Sequence, residues 1–479
     1  MIPVTLAEVA AVVSGTVGGT PDAGSVVVTA PATADSRAVA PGGLFVAVVG
    51  ERADGHDFAE AAMTAGAAGC LVARPVPVPH VLVTDPVLAI GQLARSVVDD
   101  LVAGGLTVVG VTGSSGKTST KDLLAALLEP LGPTVAPQGS YNTEIGVPVT
   151  ALTADRHTRT LVVEMGARGV GHIAYLCGVT PPRIGVVLNV GAAHAGEFGS
   201  TEVTARAKSE LVAALPEAAA GGVAVLNADD PLVAAMAGAT TARVVRVGLG
   251  PDADLRAEDV RLDSGGRPGF TLRTASGDAV EVTLPLVGAH HVGNALAAAA
   301  VALELGATLA GVATALATAE PRSRWRMEVT QRSDGVTVVN DAYNANPDSV
   351  AAALAATRSL AGDRRTWAVL GEMLELGAAS PAEHRRVGTL ARRSGVAQVV
   401  AVGEGARAVH DGAVAAGALD GEGSWVVADV AAAVTLLRDR LRPGDVVLVK
   451  ASRGSGLERV ADALLSDRPH GDTEEVNAS

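Results

Sequence analysis

The run Val109-Gly-Val-Thr-Gly-Ser-Ser-Gly-Lys-Thr118 holds the residue types needed to grip a phosphate chain. An apolar strand leads into a glycine turn, and a helix opens at Lys117. Gly113 and Gly116 permit a tight turn in which successive N–H groups point at one phosphate. The helix start adds its positive dipole end. Lys117 supplies a mobile cation for the outer phosphates, and Thr118 offers a hydroxyl to Mg²⁺. Val111 stands where the common phosphate-loop pattern has its first glycine, so the loop is the shorter G-x-x-G-K-T. A glycine turn that binds nothing is the plain alternative. It does not account for buried strand, glycines, Lys and Thr arriving in that order.

Further groups sit where strands end. Thr160-Leu-Val-Val-Glu164 closes an apolar strand on a carboxylate, the place where nucleotide enzymes hold Mg²⁺. Asn189-Val-Gly-Ala-Ala-His194 follows another strand, at the edge where open α/β sheets collect ligands. Its histidine offers a neutral imidazole to a metal. Taken alone, a strand-end Glu and a loop His are ordinary features; the nearby phosphate loop gives them interest. Lys208, in Ala205-Arg-Ala-Lys-Ser-Glu-Leu, reads from its residues as a surface lysine on an amphipathic helix starting after Ser200. Asn227-Ala-Asp-Asp230 is a strand-ending turn. Asp341-Ala-Tyr-Asn-Ala-Asn346 places an aromatic in a polar loop, and Lys450-Ala-Ser-Arg453 ends a strand with cations suited to a carboxylate or phosphate.

The elements that must position these groups fall into three units. Residues 1–105 contain a capping box at Thr5–Glu8 and strands at 25–29, 44–49, 69–73 and 80–84, with Pro75–Pro79 a stiff connector. Residues 106–320 alternate strands (106–111, 160–164, 183–188, 222–226) with helices, the pattern of a parallel sheet, with polar hairpins at 253–287 before a helix at 291–305. Residues 321–466 repeat that alternation with strands at 336–340, 366–370, 398–402 and 445–450, and Asn346-Pro347 caps a helix. The tail 467–479 reads as disordered. The fold class is therefore α/β in three domains.

Composition narrows the function. Hydrophobic residues make up 48% and aromatics 2%, so Ala, Val and Leu must fill the core. No apolar run reaches the ~18 residues of a membrane span, and no signal peptide is evident. Two cysteines cannot build a disulfide framework, which fits a reducing cytoplasm. A net charge of −14 argues against nucleic acid as a partner. A monomer is the expectation.

Taken together these segments resemble the Mur ligases, the ATP-dependent enzymes that extend the peptidoglycan precursor peptide. The resemblance runs to about residue 465. It rests on Thr112–Thr118, Tyr141-Asn-Thr-Glu-Ile-Gly-Val-Pro148, Glu164, Asn189–His194, Lys208, Asp341–Pro347, Leu370-Gly-Glu-Met-Leu-Glu-Leu-Gly377 and Val449–Gly454. Asp35-Ser-Arg37 and Asp54-Gly-His-Asp-Phe58 are similar to the family's UDP-sugar domain. The nearest member activity is addition of D-alanyl-D-alanine to UDP-N-acetylmuramoyl-tripeptide through an acyl phosphate. The resemblance implies that Thr112, Gly113, Ser114, Ser115, Gly116 and Lys117 hold ATP phosphates. It implies that Thr118, Glu164, His194 and a carbamylated Lys208 hold Mg²⁺. Asn142 would lie at the reacting region, Asn294 at the base, Asp341 at the ribose and Arg326 near the phosphates. Asp35, Ser36 and Arg37 would meet the UDP-substrate. Two departures are His290-His291, where the family often has His-Asn, and Ala451, where it has Gly. A sibling Mur-type or folylpolyglutamate-type ligase adding another amino acid is one alternative. A P-loop ATPase without ligase chemistry is another, although a guanine-reading Asn-Lys-x-Asp is absent.

Overall fold

The structure is a computed structural model and describes residues 1–50, 53–191 and 200–466; the tail expected to be disordered lies outside them. Among the described residues the first unit carries a four-stranded sheet of Thr16–Gly18, His80–Leu82, Gly69–Val72 and Leu44–Val46. The strand expected at 25–29 shrinks to Val27–Val28, because Ala23–Ser25 tightens into a 3₁₀ turn. The capping box forms: Thr5 and Glu8 exchange hydrogen bonds at the start of the helix Leu6–Val12.

Thr107–Thr112 lies inside a nine-stranded central sheet, with Ile184–Val187 on one side and Thr160–Glu164 on the other. All three run parallel, so their carboxyl ends open on one edge. The register pairs Val111 with Glu164 and Thr112 with Val187, which delivers both following loops to the phosphate loop. The hairpins expected at 253–287 do form, but they extend this same sheet: Val247 pairs in parallel with Leu255, and the next two strands run antiparallel. The strand Arg243–Gly248 carries arginines and is half-exposed along its first part, so its pattern did not read as core.

The third unit has a six-stranded sheet in which Thr337–Asn340, Val446–Lys450 and Thr366–Leu370 are parallel neighbours. Its carboxyl edge presents Asp341, Lys450 and the segment after Leu370. Trp367 is buried on Trp425 at 5.4 Å and donates its indole N–H to Asp445 at 3.0 Å.

Small residues let helices meet closely. The helix His291–Glu304 buries a run of alanines between the central sheet and the helix Lys117–Leu128. In the third unit, Ser380–Arg393 and Arg407–Ala415 touch backbone to backbone. A Cβ at Gly388 would stand 1.8 Å from the Val409 carbonyl oxygen, and one at Gly412 would stand 1.9 Å from that of Arg385. Gly388→Ala is therefore expected to lower stability by ~3 kcal/mol, the upper range for overpacking, because backbone must move rather than a side chain. Thermal unfolding checks this; an unchanged melting temperature would refute it.

Candidate active site

The phosphate loop turns as its glycines demand. Gly116 has φ +82°, and a Cβ there would lie 2.5 Å from Asn294 Oδ1. The helix Lys117–Leu128 opens immediately after it, and its first N–H groups have no intrahelical partner. The loop is braced from three sides. Asn189 accepts the Ser115 N–H at 2.9 Å and donates to the Ser115 carbonyl at 3.2 Å. Gly191 N–H donates to Ser114 Oγ at 2.9 Å, and Asn346 Nδ2 donates to the Ser114 carbonyl at 3.3 Å. The Ser114 and Ser115 amides are thus turned to residue 189 rather than to an open anion site. Thr112 donates its hydroxyl to the Met165 carbonyl at 2.8 Å. Lys117 Nζ rests on the Gly113 carbonyl at 2.6 Å.

A cavity of about 420 Å³ opens here, lined by Ser114–Thr118, Asn142, Asn189 and Asn294 from the central unit and by Arg326, Asp341, Lys450 and Arg453 from the third. Thr112 and Gly113, expected to contact phosphates, do not line it. Glu164 is buried beside it. Its Oε2 accepts from Ser140 Oγ at 2.9 Å and Thr118 Oγ1 at 3.3 Å, while its Oε1 has no partner among the described residues. A buried carboxylate oxygen without a donor, next to a hydroxyl, suits a hard cation such as Mg²⁺. Among the described residues no three His, Cys, Asp or Glu side chains cluster as a metal site. That is compatible with Mg²⁺, which commonly takes one or two carboxylates plus substrate phosphates. His194 lies outside the described residues.

Lys208 corrects a sequence expectation. It sits on the helix Thr201–Ala213, capped by Ser200, but it is 2% exposed rather than at the surface. Burial, with the Lys117 charge adding to it, holds its ammonium well below the ordinary lysine range. No carboxylate among the described residues lies within ion-pair distance. The helical pattern held a signal for this, because Ala207, Leu211 and Val212 are buried on the lysine's own face of the helix; its charge alone suggests the surface.

On the opposite wall Lys450 Nζ meets Asp341 Oδ2 at 2.6 Å and the Asn344 carbonyl at 2.8 Å. Burial lowers the Lys450 pKa, opposed by Asp341. The other Asp341 oxygen accepts the Met327 N–H at 3.1 Å. Arg326 Nη2 donates to Thr118 Oγ1 at 2.9 Å, and its guanidinium lies 4.1 Å from the Tyr343 ring centroid. Arg453 covers Trp325 at 4.2 Å. The His290 and His291 rings lie 4.1 Å apart, tilted by 39°, and burial pushes His290 down to about 4. Asn142 donates to Ser140 Oγ at 2.9 Å and so stands next to Glu164. Ser140 itself carried no sequence signal. Asp35 and Arg37 pair with each other at 2.9 Å in an exposed turn, and neither they nor Ser36 line this cavity.

Family models match along the chain: the Mur ligase family catalytic domain at residues 32–96, the Mur ligase middle domain at 111–302, and the Mur ligase glutamate ligase domain at 325–453. The UDP-N-acetylmuramoyl-tripeptide–D-alanyl-D-alanine ligase of Mycobacterium tuberculosis is 52% identical, with 98% of each chain covered. A crystal structure of MurF from Acinetobacter baumannii superposes with TM-score 0.83 at 29% identity, covering 97% of this chain and 99% of that one. MurF of Thermotoga maritima, solved in complex with ADP, gives 0.76 at 30% identity over 91% and 97%.

Gly116 supplies the sharpest local test. Alanine there must hold a left-handed φ, at a cost of ~1–2 kcal/mol, and collide with Asn294. Gly116→Ala is expected to weaken ADP binding at least about tenfold in calorimetry, with the fold retained. Unchanged affinity would remove the loop from phosphate binding.

Proposed function

The chain belongs to the Mur ligase family, and on that premise we propose that it joins D-alanyl-D-alanine to the terminal carboxylate of UDP-N-acetylmuramoyl-tripeptide. ATP is cleaved to ADP and phosphate in the process. The observation that carries this reading is the similarity, over 98% of both chains, to a ligase of that name. A P-loop ATPase without ligase chemistry would not need the third unit's cations around the same cavity.

In the first step a substrate carboxylate oxygen attacks the γ-phosphorus and the bond to the β-phosphate oxygen breaks, leaving an acyl phosphate and ADP. In the second the D-alanyl-D-alanine amine attacks the acyl carbon, the C–O bond to phosphate breaks, and the nitrogen loses a proton. A carboxylate is a poor electrophile, so phosphorylation supplies the leaving group it lacks. We assign Lys117 and the helix start to the phosphates, with Arg326 reaching them from the third unit. Asn294 and Asp341 serve the base and the ribose, and Asn142 the reacting carboxylate. Asp35, Ser36 and Arg37 take the uridine nucleotide in the first unit. Mg²⁺ would be held by Thr118, Glu164, His194 and Lys208 as its carbamate, and would withdraw charge from the γ-phosphate. Closure of the third unit onto the central one would exclude water from the acyl phosphate. We propose that it works as a monomer. We assign the work to the cytoplasm, in peptidoglycan precursor synthesis, because the proposed substrates are nucleotide-linked and the reaction consumes ATP.

Phosphate release is expected only with ATP, UDP-muramoyl-tripeptide and D-alanyl-D-alanine together; release undiminished without either peptide substrate would overturn the ligase reading. Lys117→Ala is expected to lower turnover by about 10²–10³, the effect of losing one charge-stabilising donor. A folded variant keeping more than about a tenth of wild-type turnover would sink its phosphate role.

The carbamate assignment rests on the burial of Lys208 without a carboxylate partner among the described residues, together with the family resemblance. Lys208→Ala should nearly abolish turnover, and a short carboxylic acid should restore part of it by filling the vacated space. Bicarbonate should likewise raise the activity of wild-type enzyme prepared without it. A fully active Lys208→Ala enzyme would defeat the assignment.

A further inference from the structure

Away from the cavity, a second polar cluster lies inside the protein. Lys121 and Asp122 follow Thr118 by one helical turn on the helix Lys117–Leu128, and they are 1% and 7% exposed. Ser323, 2% exposed, belongs to the segment that carries the chain from the central unit into the third. Their bonds are nearly complete. Asp122 Oδ2 accepts the Ser323 N–H at 2.9 Å and the Arg322 N–H at 3.3 Å. Asp122 Oδ1 accepts the Ser323 hydroxyl at 3.1 Å and pairs with Lys121 Nζ at 2.8 Å. Lys121 also donates to Ser323 Oγ at 3.2 Å and to the Pro137 carbonyl. Gly139 N–H donates to the same Ser323 Oγ at 3.2 Å.

One node therefore ties together three segments that converge on the cavity. The first is the helix that bears Thr118. The second is the loop 137–139, followed at once by Ser140, which donates to Glu164. The third is the segment 322–327, whose Arg326 reaches back to Thr118. Trp325 and Met327, on either side of Arg326, have φ of +59° and +51°. Non-glycine residues hold that conformation only where their surroundings over-determine it. Ser323 anchors the start of the strained stretch, and Asp341, through the Met327 N–H, anchors its end.

A buried ion pair is rarely the most stabilising filling for such a site; apolar residues of similar volume often do as well or better. A directional network gives position. We propose that Lys121, Asp122 and Ser323 are positioning residues that fix where Arg326 meets Thr118 across the two units, and so set the rate of phosphoryl transfer without touching substrate. None of the three lines the cavity. This inference rests on the ligase reading for its rate effect, though not for its effect on nucleotide binding.

Ser323→Ala is the informative variant, because it removes the hydroxyl and leaves Lys121 and Asp122 paired. We expect kcat to fall about ten- to a hundredfold, the scale of a 1 Å misplacement, with KM for both peptide substrates essentially unmoved. The decisive measurement is a double-mutant cycle with Arg326→Ala, since residues acting through one another are non-additive. Ser323→Ala should cost little more once Arg326 is gone, both in kcat and in ATP affinity measured without peptide substrates. Glu129→Gln frees Arg322 from its outer ion pair but leaves Ser323 bonded, and it should leave turnover close to wild type. Should Ser323→Ala not fold, Ser323→Cys keeps a weaker donor of similar size and enters the same cycle. Additive losses, or a wild-type kcat in the Ser323 variant, would overturn the proposal. If wild-type enzyme fails to ligate, the ligase reading falls, and the ATP-affinity cycle still decides the node.

Discussion

Bringing one anion to another is the constraint on which this structure turns. A carboxylate must approach a triphosphate, and neither does so unless positive charge is gathered first. No single sheet edge here carries enough of it. The central edge supplies Lys117 and a helix start; the third unit supplies Arg326 and Arg453. The parallel strands of the two sheets therefore have to face each other by their carboxyl edges. Their registers serve that end: Val111 opposite Glu164 in one, Leu370 opposite Lys450 in the other. The overall charge of −14 is no obstacle, because the cations are concentrated where the field is needed.

Three buried lysines show how differently that charge is handled. Lys121 has hydrogen-bond acceptors for all its ammonium protons and holds segments together. Lys450 is paired with Asp341, so its charge is largely spoken for inside the wall. Lys208, 2% exposed, has burial and a neighbouring cation against it and no carboxylate among the described residues. Burying a lone ammonium is the least favourable of these arrangements. Conversion of that amine to an anion would turn the repulsion from Lys117 into attraction, while the burial penalty would pass to the anion and call for a cation such as Mg²⁺ beside it.

The parts of the fold that sequence revealed are those where one local pattern fixes the outcome. The run 109–118 specified strand, turn and helix because glycine, lysine and threonine each have a distinct backbone or chemical duty there. Asn346-Pro347 likewise announced its helix, and the capping bonds to Ser349 are present. Burial that comes from elsewhere was not legible. Lys208 looked like a surface residue because of its charge, although Ala207, Leu211 and Val212 on the same helix face are buried with it; which element covers that face is not written in the local sequence. Ser140 and Ser323 are ordinary serines until a partner far along the chain arrives: Glu164 for one, Asp122 for the other. The strand Arg243–Gly248 was hidden by its own arginines, one of which pairs with Glu304.

The scarcity of aromatics sharpens the same point. With 2% aromatic residues the core is built from small aliphatic side chains, and each large ring is conspicuous. Trp367 and Trp425 stack in the third unit's core, with the Arg365 guanidinium 5.2 Å from the Trp367 ring. The rings at the cavity do something else. Tyr343 lies under Arg326, and Trp325 under Arg453. A guanidinium on an aromatic face keeps its charge and its in-plane donors while giving up little hydration. An ammonium in the same place would be a mobile point charge. Arginine on a ring is thus the form of positive charge that can be aimed, and at this junction its aim is set by strained backbone on both sides of Arg326. The precision belongs to the contact between units, which is why it could be seen only once the two edges were brought face to face.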